Sequence, residues 1–92
     1  MKTFLVSYDL GVPESSSDYQ KVIDYIQSFG NWAKPLKSQW FIVSSKSCSE
    51  IRDDLSNLTD FNDGILVLEV SGDGWATSRI SSEVTSWMEK NL

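Results

Sequence analysis

Two short apolar runs constrain this chain more than anything else in it. One is Phe4-Leu5-Val6, continued by Tyr8 and Leu10; the other is Ile65-Leu66-Val67-Leu68 with Val70. Each is far shorter than the roughly 20 residues a membrane span needs. Each is also too uniformly apolar for a strand with one wet face. Both read as strands, over residues 2–10 and 65–70, buried on both faces and central in a sheet. The first ends at the loop signal Gly11-Val12-Pro13.

Between the runs, the periodicity changes. Tyr19, Val22, Ile23, Ile26 and Phe29 fall on one stripe of a 3.6-residue repeat, which predicts a helix over 18–29. Ser17 with Gln20 has the spacing of a capping box, and Gly30 stands where a left-handed exit residue belongs. Cys48, Ile51, Leu55 and Leu58 predict a second helix over 48–58, capped by Ser47 with Glu50. Residues 31–44 read as extended. Pro35 cannot donate to a ladder, so it marks an edge or a turn, and Gln39-Trp40-Phe41-Ile42-Val43 is a strong strand. The two extended pieces form an irregular hairpin, with one bent strand as the alternative. Phe61-Asn62-Asp63-Gly64 and Ser71-Gly72-Asp73-Gly74 are turns. A third helix over 82–91 carries Val84, Trp87 and Met88 on one side, with Trp75 and Ile80 anchoring the segment before it.

Strand, helix, strand, strand, helix, strand, helix is the order of an α+β ferredoxin-like split βαβ sandwich with a C-terminal helix. Residues 1–92 make one such domain. Right-handed crossovers set the first and last strands side by side, giving the order 4-1-3-2 with the first two helices on one face. Leu5, Val22, Ile26, Ile42, Leu55, Val67 and Leu68 are the expected core. The opposite face needs cover from the tail helix or a second subunit.

Composition then removes whole classes of chemistry. With 8 Lys and Arg against 13 Asp and Glu, the net charge is −5, which offers no broad basic face for tight duplex DNA binding. The chain has no His, so it has no His base, His metal ligand or Ser-His pair. Its one Cys forms no internal disulfide and no thiolate cluster. A lone thiol and no export signal point to a cytoplasmic location.

Three local patterns carry a family resemblance. The first strand closes with Tyr8-Asp9; Lys21-Val22 sits in the first helix, which Gly30 closes; and Ser38-Gln39-Trp40 opens the strong strand. Over about residues 2–70 the chain resembles the small CRISPR-associated endoribonuclease-like superfamily, which also includes the virulence-associated protein D toxins. It looks most similar to the SinR branch, whose tail the region around Trp75 and residues 82–91 also fits. The resemblance implies a ferredoxin-like homodimer with Asp9 near the two-fold axis. It also implies Asp9 as ligand of a divalent cation such as Mg²⁺ and as the catalytic position. Two carboxylates meeting across an axis would repel, and a hydrated Mg²⁺ would relieve that repulsion. Two features depart from relatives that handle nucleic acid: the acidic balance, and Ser15-Ser16-Ser17-Asp18 where many have an arginine-rich run.

From the residues alone, Asp9 is a polar strand end leading into a turn. Asp53, Asp54, Asp60, Asp63 and Asp73 lack the spacing of an EF-hand and read as a solvated face and turns. Lys34, Lys37 and Lys46 around Trp32 and Trp40 form a weak basic-aromatic mixture. Stacked on exposed indoles, RNA could bind there, but charge does not favour it, and packing of the Trp residues is the plainer reading. Cys48 lies on an apolar stripe as a small core residue, with no His to activate it. Three functions follow for comparison: a homodimeric interaction or defence module with weak or lost nuclease activity, a toxin-like Mg²⁺-dependent endoribonuclease using Asp9, and a non-catalytic regulatory scaffold.

Overall fold

A computed structural model describes residues 1–11 and 16–92, without the side chains of Ser16 and Ser17. The loop signal at Val12-Pro13 and the Ser17 side chain of the expected capping box therefore lie outside the described residues. The elements are β1 (Lys2–Asp9), α1 (Ser16–Gln27), β2 (Trp32–Leu36), β3 (Gln39–Ser44), α2 (Cys48–Ser56), β4 (Gly64–Val70) and α3 (Ser82–Asn91). All seven expected elements are present, and the hairpin reading of residues 31–44 holds.

The four strands form one antiparallel sheet in the order β2-β3-β1-β4. Leu5 lies opposite Phe41 on one side and Leu68 on the other, which fixes the register of the centre. Alternation then divides the side chains between two faces. Phe4, Val6, Tyr8 and Leu10 point to one face. There they bury Val22 and Ile26 of α1, Trp40 and Ile42 of β3, and Ile51 and Leu55 of α2. The other face carries Leu5, Phe41 and Ala33 beneath Val84, Trp87 and Met88 of α3. The tail helix therefore supplies cover for the second face, with Trp87 stacked on Phe41 at 5.7 Å between centroids.

Local chemistry explains the boundaries. Ser47 and Glu50 make the reciprocal capping box, with Glu50 Oε1 accepting from the Ser47 amide at 2.9 Å. Ser81 caps α3 by accepting from the Val84 amide. Gly30 has φ +82°, a left-handed conformation that turns the chain out of α1 toward β2. Gln20 of α1 donates to Asp24 at 2.7 Å. At Gly72 a Cβ atom would collide with the Leu92 backbone, so glycine lets the end of α3 lie against the exit of β4.

The expected core needs correction at three of its seven positions. Val22, Ile26, Ile42 and Leu55 are fully buried, and Leu5 and Val67 are half-buried, but Leu68 is 39 % exposed. β4 is not central. It pairs with β1 alone, and α3 does not cover its Leu66 and Leu68.

Candidate functional site

Two of the patterns that suggested a site, Tyr8-Asp9 and Ser38-Gln39-Trp40, meet at one end of the sheet, but most of their residues are structural. Tyr8 turns inward, and its hydroxyl accepts from Trp40 Nε1 at 3.1 Å in the buried core. The Tyr8 amide donates to the Ser38 carbonyl at 3.1 Å. Ser38 itself has φ +57° in the turn joining β2 to β3. Val22 is core. Tyr8, Ser38 and Trp40 thus have a packing role: a strand end, a tight turn and an aromatic anchor lock together.

Asp9 is the exception, because strand alternation sends it away from this core. It is exposed, opposite Gly64, at the end of β1. Among the described residues, no group of three or more His, Cys, Asp or Glu side chains is placed to hold a metal ion. Asp9 therefore offers one carboxylate per chain. A divalent cation there would need further oxygen ligands from water, a substrate phosphate or a second copy.

The nearby aspartates have structural work. Asp63 Oδ1 accepts from the Gly11 amide at 2.6 Å, and its Oδ2 accepts from the Asp60 amide at 2.7 Å. This carboxylate joins the exit of β1 to the turn before β4. The Asp63-Gly64 turn signal in the sequence hinted at it, though not at its distant partner. A polar cleft of about 300 Å³ beside this junction is lined by Leu10, Asp18, Lys21, Thr59, Asp60 and Asp63. It includes Lys21 of the resemblance and excludes Asp9.

A second polar cluster links α1 to α2. Asp54 Oδ2 accepts from Tyr25 Oη at 2.6 Å and from Lys46 Nζ at 2.6 Å. Those hydrogen bonds, from Lys46 first and Tyr25 second, hold the Asp54 carboxyl below its ordinary range. Burial, then the bond to Asp54 and the surrounding negative charge, pushes the Tyr25 phenol well above its ordinary range. The capping bond from the Ser47 backbone amide, then the one involving its side chain, lowers Glu50. Spacing alone gave no sign of this inter-helix cluster.

The basic-aromatic mixture is split by the fold. Trp40 is buried, with the half-exposed Trp32 edge-on to it at 5.3 Å. Lys46 is engaged by Asp54, and Lys34 Nζ lies 5.1 Å from the Trp40 ring centroid. Arg52 pairs with Asp53 at 2.9 Å. Cys48 packs against the first core. Beyond the cover of α3, the second face leaves Leu66 and Leu36 about half exposed, at 55 % and 54 %. These leucines face the same side of the sheet as Leu5, because Ser7 lies opposite both Leu66 and Gln39, and Gln39 opposite Leu36. Among the described residues, no helix is long and apolar enough to cross a membrane. Compared with known proteins, the chain matches no family model and no curated protein.

Proposed function

We propose that this chain is a cytoplasmic homodimeric interaction module with a ferredoxin-like split βαβ arrangement, akin to the SinR branch it resembles, whose nuclease activity is weak or lost. The observation that supports this reading is the pair Leu66 and Leu68, 55 % and 39 % exposed on one face of β4. Neighbouring exposed leucines on a regular strand form an apolar surface that association would remove from water. A two-fold pair covers it with the same surface of a second copy. Sedimentation at micromolar concentration tests the reading. A species of twice 10.4 kDa is the expected result, and a clean 10.4 kDa monomer would overturn it.

A second reading, a Mg²⁺-dependent endoribonuclease, draws on the exposed carboxylate of Asp9 at the end of β1. Asp9 would hold the ion, and the ion would supply an activated water for phosphodiester cleavage. Incubation of the purified protein with RNA and Mg²⁺ or Mn²⁺ separates the two readings. Cleavage that Asp9→Asn abolishes would favour the enzyme. A dimer that neither EDTA nor Asp9→Asn alters, with intact RNA, favours the interaction module and its purely regulatory variant.

A further inference from the structure

The two outer edges of the sheet are built differently. β2 carries Lys34 and Pro35, its register shifts between Ala33 and Leu36, and α3 packs beside it. Charge, proline, irregularity and cover are the means by which strand edges avoid pairing. β4 has no charge, proline or irregularity in its central part, although α2 packs against one of its faces. It runs Gly64-Ile65-Leu66-Val67-Leu68-Glu69-Val70, pairs with β1 without a register shift from Asp9↔Gly64 to Thr3↔Val70, and carries one charge, Glu69.

Resting on the dimeric reading above, we propose that β4 is the joint between copies. It pairs antiparallel with the β4 of a second copy across a two-fold axis at Val67, so that one sheet runs through both protomers. The sequence around the axis favours this chain itself over a foreign strand. Leu66-Val67-Leu68 reads the same in both directions, so Leu66 falls opposite the partner's Leu68 and Val67 opposite the partner's Val67. The four leucines share one face and cover one another. On the opposite face, a groove of about 450 Å³ between α2 and β4, lined by Cys48, Arg52, Ile65 and Val67, receives the partner's side chains. Ile65 falls opposite the partner's Glu69, and Arg52 in the same groove, which within the chain pairs with Asp53 at 2.9 Å, has the sign that suits that carboxylate, itself 3.4 Å from Lys2 within its own chain. The two Glu69 residues stand about 14 Å apart along the strands, too far to oppose pairing strongly.

This geometry also bears on Asp9. Three strand spacings and six residues of rise separate the two Asp9 positions, roughly 25 Å in all. A β4-to-β4 dimer and a cation shared by two Asp9 carboxylates therefore exclude each other.

Cysteine cross-linking in a Cys48→Ser background tests the joint, with folding checked by circular dichroism. Val67→Cys places two thiols across the axis, where directly opposed Cα atoms lie about 4.5–5.5 Å apart, within disulfide range. Val70→Cys places its thiols about 20 Å apart. Mild oxidation should give about tenfold more disulfide dimer from Val67→Cys than from Val70→Cys. In the unsubstituted chain, amide exchange along the outer side of β4 should slow as concentration rises through the dimer range. A sedimenting dimer with equal cross-linking and concentration-independent β4 exchange would overturn the joint and leave the dimer standing. A monomer at all concentrations would overturn both.

Discussion

The indole of Trp40 donates to the hydroxyl of Tyr8 across the first core, 3.1 Å from nitrogen to oxygen. Both rings are more than nine-tenths buried, at 3 % and 7 % exposure. This bond joins the end of β1 to the start of β3. Tyr8→Phe keeps the ring and leaves the indole N–H without its partner. The expected cost is about 1–3 kcal/mol. In urea the unfolding midpoint should fall while the slope stays unchanged.

Leu55 and Leu68 provide a paired test of the two faces. Leu55 of α2 is wholly buried against the sheet, whereas Leu68 is 39 % exposed. Leu55→Ala should cost about 2–4 kcal/mol through lost transfer energy and the cavity left behind. Leu68→Ala should cost less than about 1.5 kcal/mol to the fold of a single copy. A Leu55→Ala change below about 0.5 kcal/mol, outside the range for a buried leucine, would contradict the placement of α2.

The Tyr25–Asp54–Lys46 cluster predicts a pH dependence with a definite sign. Asp54 titrates lower in the folded chain than in the unfolded one. Its contribution is complete above the unfolded value, about pH 3.9, and is lost as the pH falls through the folded value. Asp54→Asn should therefore flatten the acid side of the stability profile below about pH 4. Tyr25 is displaced upward, so its contribution is complete below about pH 10 and fades as the pH rises beyond that. Tyr25→Phe should flatten the alkaline side, as read from urea midpoints across pH.

Duplex DNA provides a further check. Of the basic side chains, Lys2, Lys46 and Arg52 are paired with carboxylates, and the net charge is −5. Binding should be weaker than micromolar at physiological salt, because few counterions would be released. Submicromolar binding with a steep salt dependence, measured by fluorescence anisotropy, would contradict this charge distribution.

What the sequence made legible depended on whether its signal was local. The stripe of Val22 and Ile26 and the box of Ser47 and Glu50 rest on contacts within one element, and both appear as expected. Strand order followed from element order. Leu68 failed because an apolar run looks the same whether its neighbour is another strand, a helix or open solvent. Only the position of α3 decides between these, and that position depends on distant partners such as Asn31, which accepts from Trp87 at 2.7 Å. Asp9 was picked out by resemblance, and strand alternation explains its exposure. The role of Asp63 was hidden because its partner Gly11 lies far away along the chain.

The hydroxyl of Thr3 donates to the carbonyl of Asn91 at 2.8 Å, joining the first strand to the last turn of α3. The consequence is one of timing. During synthesis, β1 emerges first, yet its neighbours β3 and β4 and the helix over its second face all come later. Phe4, Val6 and Tyr8 must wait for residues far downstream, since non-local pairing is slow to form. Until Asn91 leaves the ribosome, Leu5 and Phe41 lack their helical cover. The growing chain thus carries an adhesive strand until α3 has been made, and assembly of the second face waits for that helix.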